Sequence, residues 1–199
     1  MSIYHDGNRT LQDTFDTRRL ADRIEDALCH DSITEHDRSL IEAVDMFFLA
    51  TATADGFPTA GYKGGDPGFV KVVDDHSVAF PNYNGNGMYM AMGNILANPK
   101  VGMLFIDFQR GNRLRIQGEA SIDLEDALAS EYEGAQFVVR VHTTAIFPNC
   151  PRYIPKLTLA EPSIYAPKPG TEPPEPAWKG FDMFKDAVHP RQPTFRGEP

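Results

Sequence analysis

At 199 residues and 41% hydrophobic content, the chain can bury one sizeable core and is short for two. A formal charge of −9 and a pI near 5.1 argue against a nucleic-acid or anionic-membrane surface as the main partner. Cys29 and Cys150 fit no metal-ligand or redox spacing, and no apolar run approaches the roughly 20 residues that span a bilayer. A cytoplasmic protein with no metal site is expected.

The N-terminal "MSIYHDGNRTLQDTFDTRR" has neither the apolar core nor the small-residue cleavage site of a signal peptide. Residues 10–30 have a helical period, with Leu11, Phe15, Leu20, Ile24 and Leu28 mostly on one face. Thr34 and Asp37 open a second helix as a capping-box variant. From Phe47 the period shortens. "FFLATAT" and "PTAGYKG" flank Asp55-Gly56 as a hairpin, and "FVKVVDD" with "HSVAFP" forms another. "GMYMAMGNILA" (87–97) reads as a short helix ended by Asn98-Pro99. A third hairpin, "KVGMLFIDF" and "RLRIQGEASI", is followed by an acidic helix at "LEDALASEYE" and a long strand, "AQFVVRVHTTAIF". The pattern predicts a mainly β (α+β) fold, an antiparallel barrel or sandwich of six or seven strands. Residues 1–45 would form N-terminal helices and 46–157 the barrel. Residues 158–199 would be a proline-rich C-terminal arm, with Trp178, Phe181, Phe184 and Phe195 packing on something.

Several chemistries have no support. The chain has no "GxSxG", "HExxH", "CxxC" or "GxxxxGK[ST]". His142 on a strand and Cys150 in "FPNCPRYI" are most simply packing or surface residues.

Three polar or glycine-rich segments at strand ends remain. The first, "GYKGGDPGFVK", is either a turn that nothing touches or a place where backbone passes close to something flat or charged. The second, "FPNYNGNGM", carries Asn82, Asn84 and Asn86 into a helix start, whose free N–H groups and positive dipole end suit a phosphate. The third, "RLRIQGE", places Arg113 and Arg115 on one strand face, opposite Leu114 and Ile116.

In order and spacing these segments resemble one known family. "ATATADGFP", "KGGDPGFV", "FPNYNGN", "GNILANPKVGMLF" and "RLRIQGEA" follow the sequence order of the pyridoxamine 5'-phosphate oxidase-related, FMN-binding split-barrel proteins. "FPNCPRYI" is similar to a motif of one branch. The resemblance implies a six-stranded antiparallel split β-barrel and a homodimer with FMN at the subunit interface. Gly64, Gly65, Pro67, Gly68, Phe69 and Val70 would then put their backbone along the flavin, and Lys63 and Lys71 would hold its phosphate or lie near its electron-rich edge. Asn82, Asn84, Asn86, Gly87 and Met88 would meet phosphate or ribityl oxygens, with Arg113 and Arg115 supplying charge. A short helix start seats one phosphate, and no dinucleotide fold is present, so FMN is expected rather than FAD.

The chain departs from the family's true oxidases in two places. The arginine-lysine pair that grips the FMN phosphate before the helix is replaced by Asn86-Gly87-Met88. The C-terminal tryptophan and arginine pattern that handles the pyridoxal substrate has no counterpart. The expectation is therefore an FMN-binding oxidoreductase acting on a small organic substrate other than vitamin B6, with a small-molecule electron donor. The alternative is a non-catalytic flavin- or ligand-binding protein for storage or sensing. No general acid or base stands out, though flavin chemistry often needs none.

Overall fold

The computed structural model describes residues 2–188. Phe195, named above, lies outside them. Seven strands form one antiparallel sheet: β1 (Met46–Ala52), β2 (Pro58–Gly64), β3 (Lys71–Asp74), β4 (Ser77–Tyr83), β5 (Lys100–Asp107), β6 (Asn112–Asp123) and β7 (Ala135–Pro148). Their order is β2-β1-β5-β6-β7-β4-β3, so the sheet is open, with β2 and β3 at its edges. The expected six-stranded barrel is corrected to seven strands. The hairpins account for six of them, and the unbroken run Ala135–Pro148 adds the seventh by pairing with both β6 and β4.

The sheet curls. Phe47 on β1 and Phe80 on β4 stand four strands apart in the order, yet their ring centroids are 5.0 Å apart. Phe105 lies 5.2 Å and Phe69 5.9 Å from Phe47, so both halves of the sheet share one aromatic centre. Along β6 buried and exposed residues alternate, with Leu114 and Ile116 inward and Arg115 and Gln117 outward. Full burial of side chains such as Phe47, Phe80 and Phe105 contributes about 1.5–3 kcal/mol each.

Helix α4 (Met90–Ala97) plugs one end of the curled sheet with Met92 and Ile95. Its Asn94 Nδ2 donates to Thr51 Oγ1 at 3.0 Å and Thr59 Oγ1 at 2.6 Å. A buried amide needs such acceptors, and these two pin α4 to β1 and β2.

The N-terminal region holds three helices, α1 (Asp6–Thr14), α2 (Arg18–Leu28) and α3 (Glu35–Ala43), rather than two. Asp16 takes a left-handed φ of 53°, which splits the expected 10–30 helix. The Thr34–Asp37 capping box forms as the sequence indicates. The predicted apolar face does not pack: Leu11, Phe15, Leu20, Ile24 and Leu28 are 44–72% exposed. Amphipathic spacing set the helical period but not the direction in which that face points. The acidic segment makes only a 3-10 turn at Ala127–Glu131.

The C-terminal arm folds back over its own sheet. The Leu157 N–H donates to the Phe108 carbonyl, Pro167 lies against Gly134, and Lys168 Nζ is 3.9 Å from Asp66. Trp178 meets Phe184 edge to face at 5.9 Å.

Candidate functional site

The glycine turn is explained largely from within. A Cβ on Gly64 would stand 2.7 Å from the Tyr62 ring, and one on Gly65 would stand 2.7 Å from Phe69 Cβ and Cγ. Gly68 has φ of +87°, a conformation open to glycine. Phe69 and Val70, whose backbone is expected along a ligand, bury their side chains in the core. Gly61 is different: nothing lies within 4 Å of where its Cβ would be. It pairs with Leu49, and two residues on Lys63 pairs with Phe47, so both occupy the inner side of edge strand β2.

The two lysines flanking the turn have opposite surroundings. Lys71 Nζ donates to Glu131 Oε2 at 2.5 Å and lies 4.7 Å above the Tyr132 ring. Its charge is already met. Lys63 has no ion pair or hydrogen bond among the described residues, and burial pushes its ammonium pKa below the ordinary lysine value. A half-buried cation without a counter-charge is a ready place for an anion.

The asparagine segment is built around Gln136. Its Oε1 accepts from Asn82 Nδ2 at 3.0 Å and from the Tyr89 hydroxyl at 3.1 Å. Tyr89 also stacks near Phe137, with centroids 6.5 Å apart. These contacts hold Tyr89 in a left-handed conformation, φ 47°, at the N-cap of α4, just after Gly87 at φ 76°. A non-glycine residue there stores strain of about 1–3 kcal/mol and persists only where its neighbours fix it. Among the described residues no side chain caps α4, so its first-turn N–H groups lack side-chain acceptors. Asn86 Oδ1 accepts from the Met88 N–H at 3.0 Å and shapes the approach. Sequence reasoning missed Tyr89 and Gln136. Their signal would have been a polar residue buried on β7 at the register shift beside Phe137, the partner of Asn82.

The remaining site residues are dispersed. Asn84 and Asn86 line an 830 Å³ cleft closed by arm residues including Tyr165 and Trp178, where burial pushes the Tyr83 phenol up to about 12. Pro67 borders a second cleft of 460 Å³ beside Tyr62 and the arm's Leu157. Arg113 turns its Nη2 to the Cys150 carbonyl at 2.8 Å and lines a third, of 230 Å³. Arg115 is exposed on the outer sheet face, beside Leu104. One chain thus brings Asn82, Asn84, Asn86, Gly87 and Met88 together, and leaves Arg113 and Arg115 apart from them. Among the described residues, no group of three His, Cys, Asp or Glu could hold a metal, and no helix is long and apolar enough to cross a membrane.

The sequence matches the model of the pyridoxamine 5'-phosphate oxidase family over residues 33–157. The chain belongs to that family. No curated protein matches it. Among solved structures it is similar to HupZ of Group A Streptococcus, with 26% identity, 58% of this chain and 93% of that one covered, and a TM-score of 0.48. An FMN-binding protein from Syntrophomonas wolfei aligns at 13% identity over 69% and 96% of the two chains, with a TM-score of 0.43. HutZ, the heme storage protein of Vibrio cholerae, aligns at 14% identity over 56% and 91%, also at 0.43.

Proposed function

We propose that this chain is a flavin mononucleotide-binding oxidoreductase of the pyridoxamine 5'-phosphate oxidase family, acting on a small molecule other than vitamin B6. The observation that carries the reading is a pair of anion-seeking features that nothing among the described residues satisfies: Lys63 without a partner and the α4 start without a side-chain cap. Both favour a ligand with one phosphate, by charge and by free N–H groups. The open space at Gly61 gives a planar ring room beside β2.

In this proposal the α4 start and Asn86 receive the phosphate, and Asn84 meets the polyol chain. Lys63 holds its proton against the ligand's negative edge, and the main chain of β2 faces the ring. When bound, the flavin supplies reversible hydride or electron transfer, and the protein supplies orientation and electrostatics.

The active unit is proposed to be a homodimer. Phe48 and Tyr62 pack together on the outer face of β1 and β2 and are both exposed, with Leu104 beside Phe48 on β5. A second copy covering this face would bring Arg115 to the interface. Light scattering is expected to give twice 22.1 kDa.

The second reading, a flavin carrier without catalysis, is favoured because, among the described residues, no acid or base is hydrogen-bonded to Lys63. Rapid mixing of flavin-loaded protein with reduced nicotinamides separates the two. Prompt bleaching supports the oxidoreductase, and no bleaching with any donor supports the carrier.

A further inference from the structure

The 830 Å³ cleft lies between the arm and the start of β7, and its size falls in the range of about 300–1,000 Å³ that small-molecule sites occupy. Gln136 is its buried polar group, at 8% exposure. Its Oε1 already accepts from Asn82 Nδ2 at 3.0 Å and from the Tyr89 hydroxyl at 3.1 Å. A carbonyl oxygen has two lone pairs, so that atom is full. Nε2 makes no hydrogen bond among the described residues, and it is not sealed from solvent. Gln136 therefore meets the cleft it lines as a donor only. It can give an N–H to a ligand oxygen and can accept nothing in return.

The wall supplied by the arm is aromatic and proline-rich. Tyr165 and Trp178 line it, and Pro173, Pro174 and Pro176 add ring surface without an N–H. Walls of this kind take flat apolar rings by offset stacking. Charge does not select the ligand here. Lys179 is ion-paired with Glu175 at 2.8 Å, and Tyr83, its phenol pushed up to about 12 by burial, stays neutral at ordinary pH.

We infer that this cleft binds a flat, uncharged aromatic ketone or quinone. The ligand's carbonyl oxygen accepts from Gln136 Nε2, and its rings lie against Trp178 and Tyr165. A ring amide fits less well, because the N–H beside its carbonyl finds Oε1 already holding two donors.

The inference does not rest on the flavin reading, and the test uses the flavin-free full chain. Chromone, a flat bicyclic ketone, and naphthalene, a flat bicycle without a carbonyl, are titrated while side-chain N–H resonances are followed by NMR. Trp178 is the chain's one tryptophan, so the single indole N–H resonance reports on this cleft. Chromone should move that resonance and shift the Gln136 Nε2–H resonances downfield, whereas naphthalene should move the indole without the downfield shift. Gln136→Glu, measured at pH 8, keeps an oxygen for Asn82 and Tyr89 but puts a second oxygen where the donor was. In that variant the affinity for chromone relative to naphthalene should fall at least about tenfold. The inference is overturned if chromone leaves the indole resonance in place, or moves it without shifting the Gln136 amide. It is equally overturned if Gln136→Glu keeps the parent's ratio of the two affinities. Should that variant fail to fold, the amide shift in the parent decides alone.

Discussion

The glycine turn at 61–71 and the asparagine loop at 82–90 both look like ligand-binding elements, and they differ in what their own chain already satisfies. In the turn, Gly64 and Gly65 make room for Tyr62 and Phe69, Phe69 and Val70 fill the core, and Lys71 is paired with Glu131. In the loop, Tyr89 is held in a left-handed conformation, and the N–H groups at the start of α4 have no side-chain acceptor among the described residues. Unusual residues are therefore weak evidence of function when their neighbours account for them. They are stronger evidence when a strained backbone leaves polar groups unmet.

The largest expected effect tests the internal account of the turn. Gly65→Ala drives a Cβ to 2.7 Å from Phe69 and should cost about 1–3 kcal/mol in denaturant unfolding. A neutral result would break the contrast, since it would leave the glycine free for another purpose. On the other side, Asn86→Ala removes an exposed turn bond to Met88. It should leave the unfolding midpoint nearly unchanged while weakening FMN binding by about tenfold, as read by flavin fluorescence titration.

The contrast was only partly legible in the sequence. Strand hairpins and the Thr34 cap are local, and period and turn chemistry reveal them. Six strands follow from that logic, but the pairing of β7 with β4 joins residues some sixty positions apart, and no local signal marks it. The apolar stripe on α1 and α2 shows the same limit: spacing gives a stripe, and only tertiary packing gives its direction. At the site, glycine content pointed to the turn, whereas the distinction between Lys63 and Lys71 depends on Glu131, sixty residues away. The Gln136 bonds to Asn82 and Tyr89 are likewise long-range.

A pH titration sharpens the lysine contrast. Burial lowers the Lys63 pKa, so in the free protein it loses its proton at a pH below the ordinary 10.5. The ligand's negative edge prefers the charged form, so FMN affinity is full below that lowered pKa and falls as pH rises through it. Lys63→Arg, which stays charged, should remove the decline.

The smallest expected change in stability is at Gly61. With open space at its Cβ position, Gly61→Ala should shift unfolding by no more than about 0.5 kcal/mol. If the flavin ring lies against this strand, FMN binding should nevertheless weaken, a separation that Gly65→Ala would not give.

The most direct measurement is equilibrium titration of FMN into the parent chain, Lys63→Ala and Lys71→Ala. A charge-assisted contact to the ligand's negative edge contributes about 1.5–3 kcal/mol, so Lys63→Ala should bind about ten- to a hundredfold more weakly, with Lys71→Ala close to the parent. A parent protein that ignores FMN, or a loss confined to Lys71→Ala, would contradict the account.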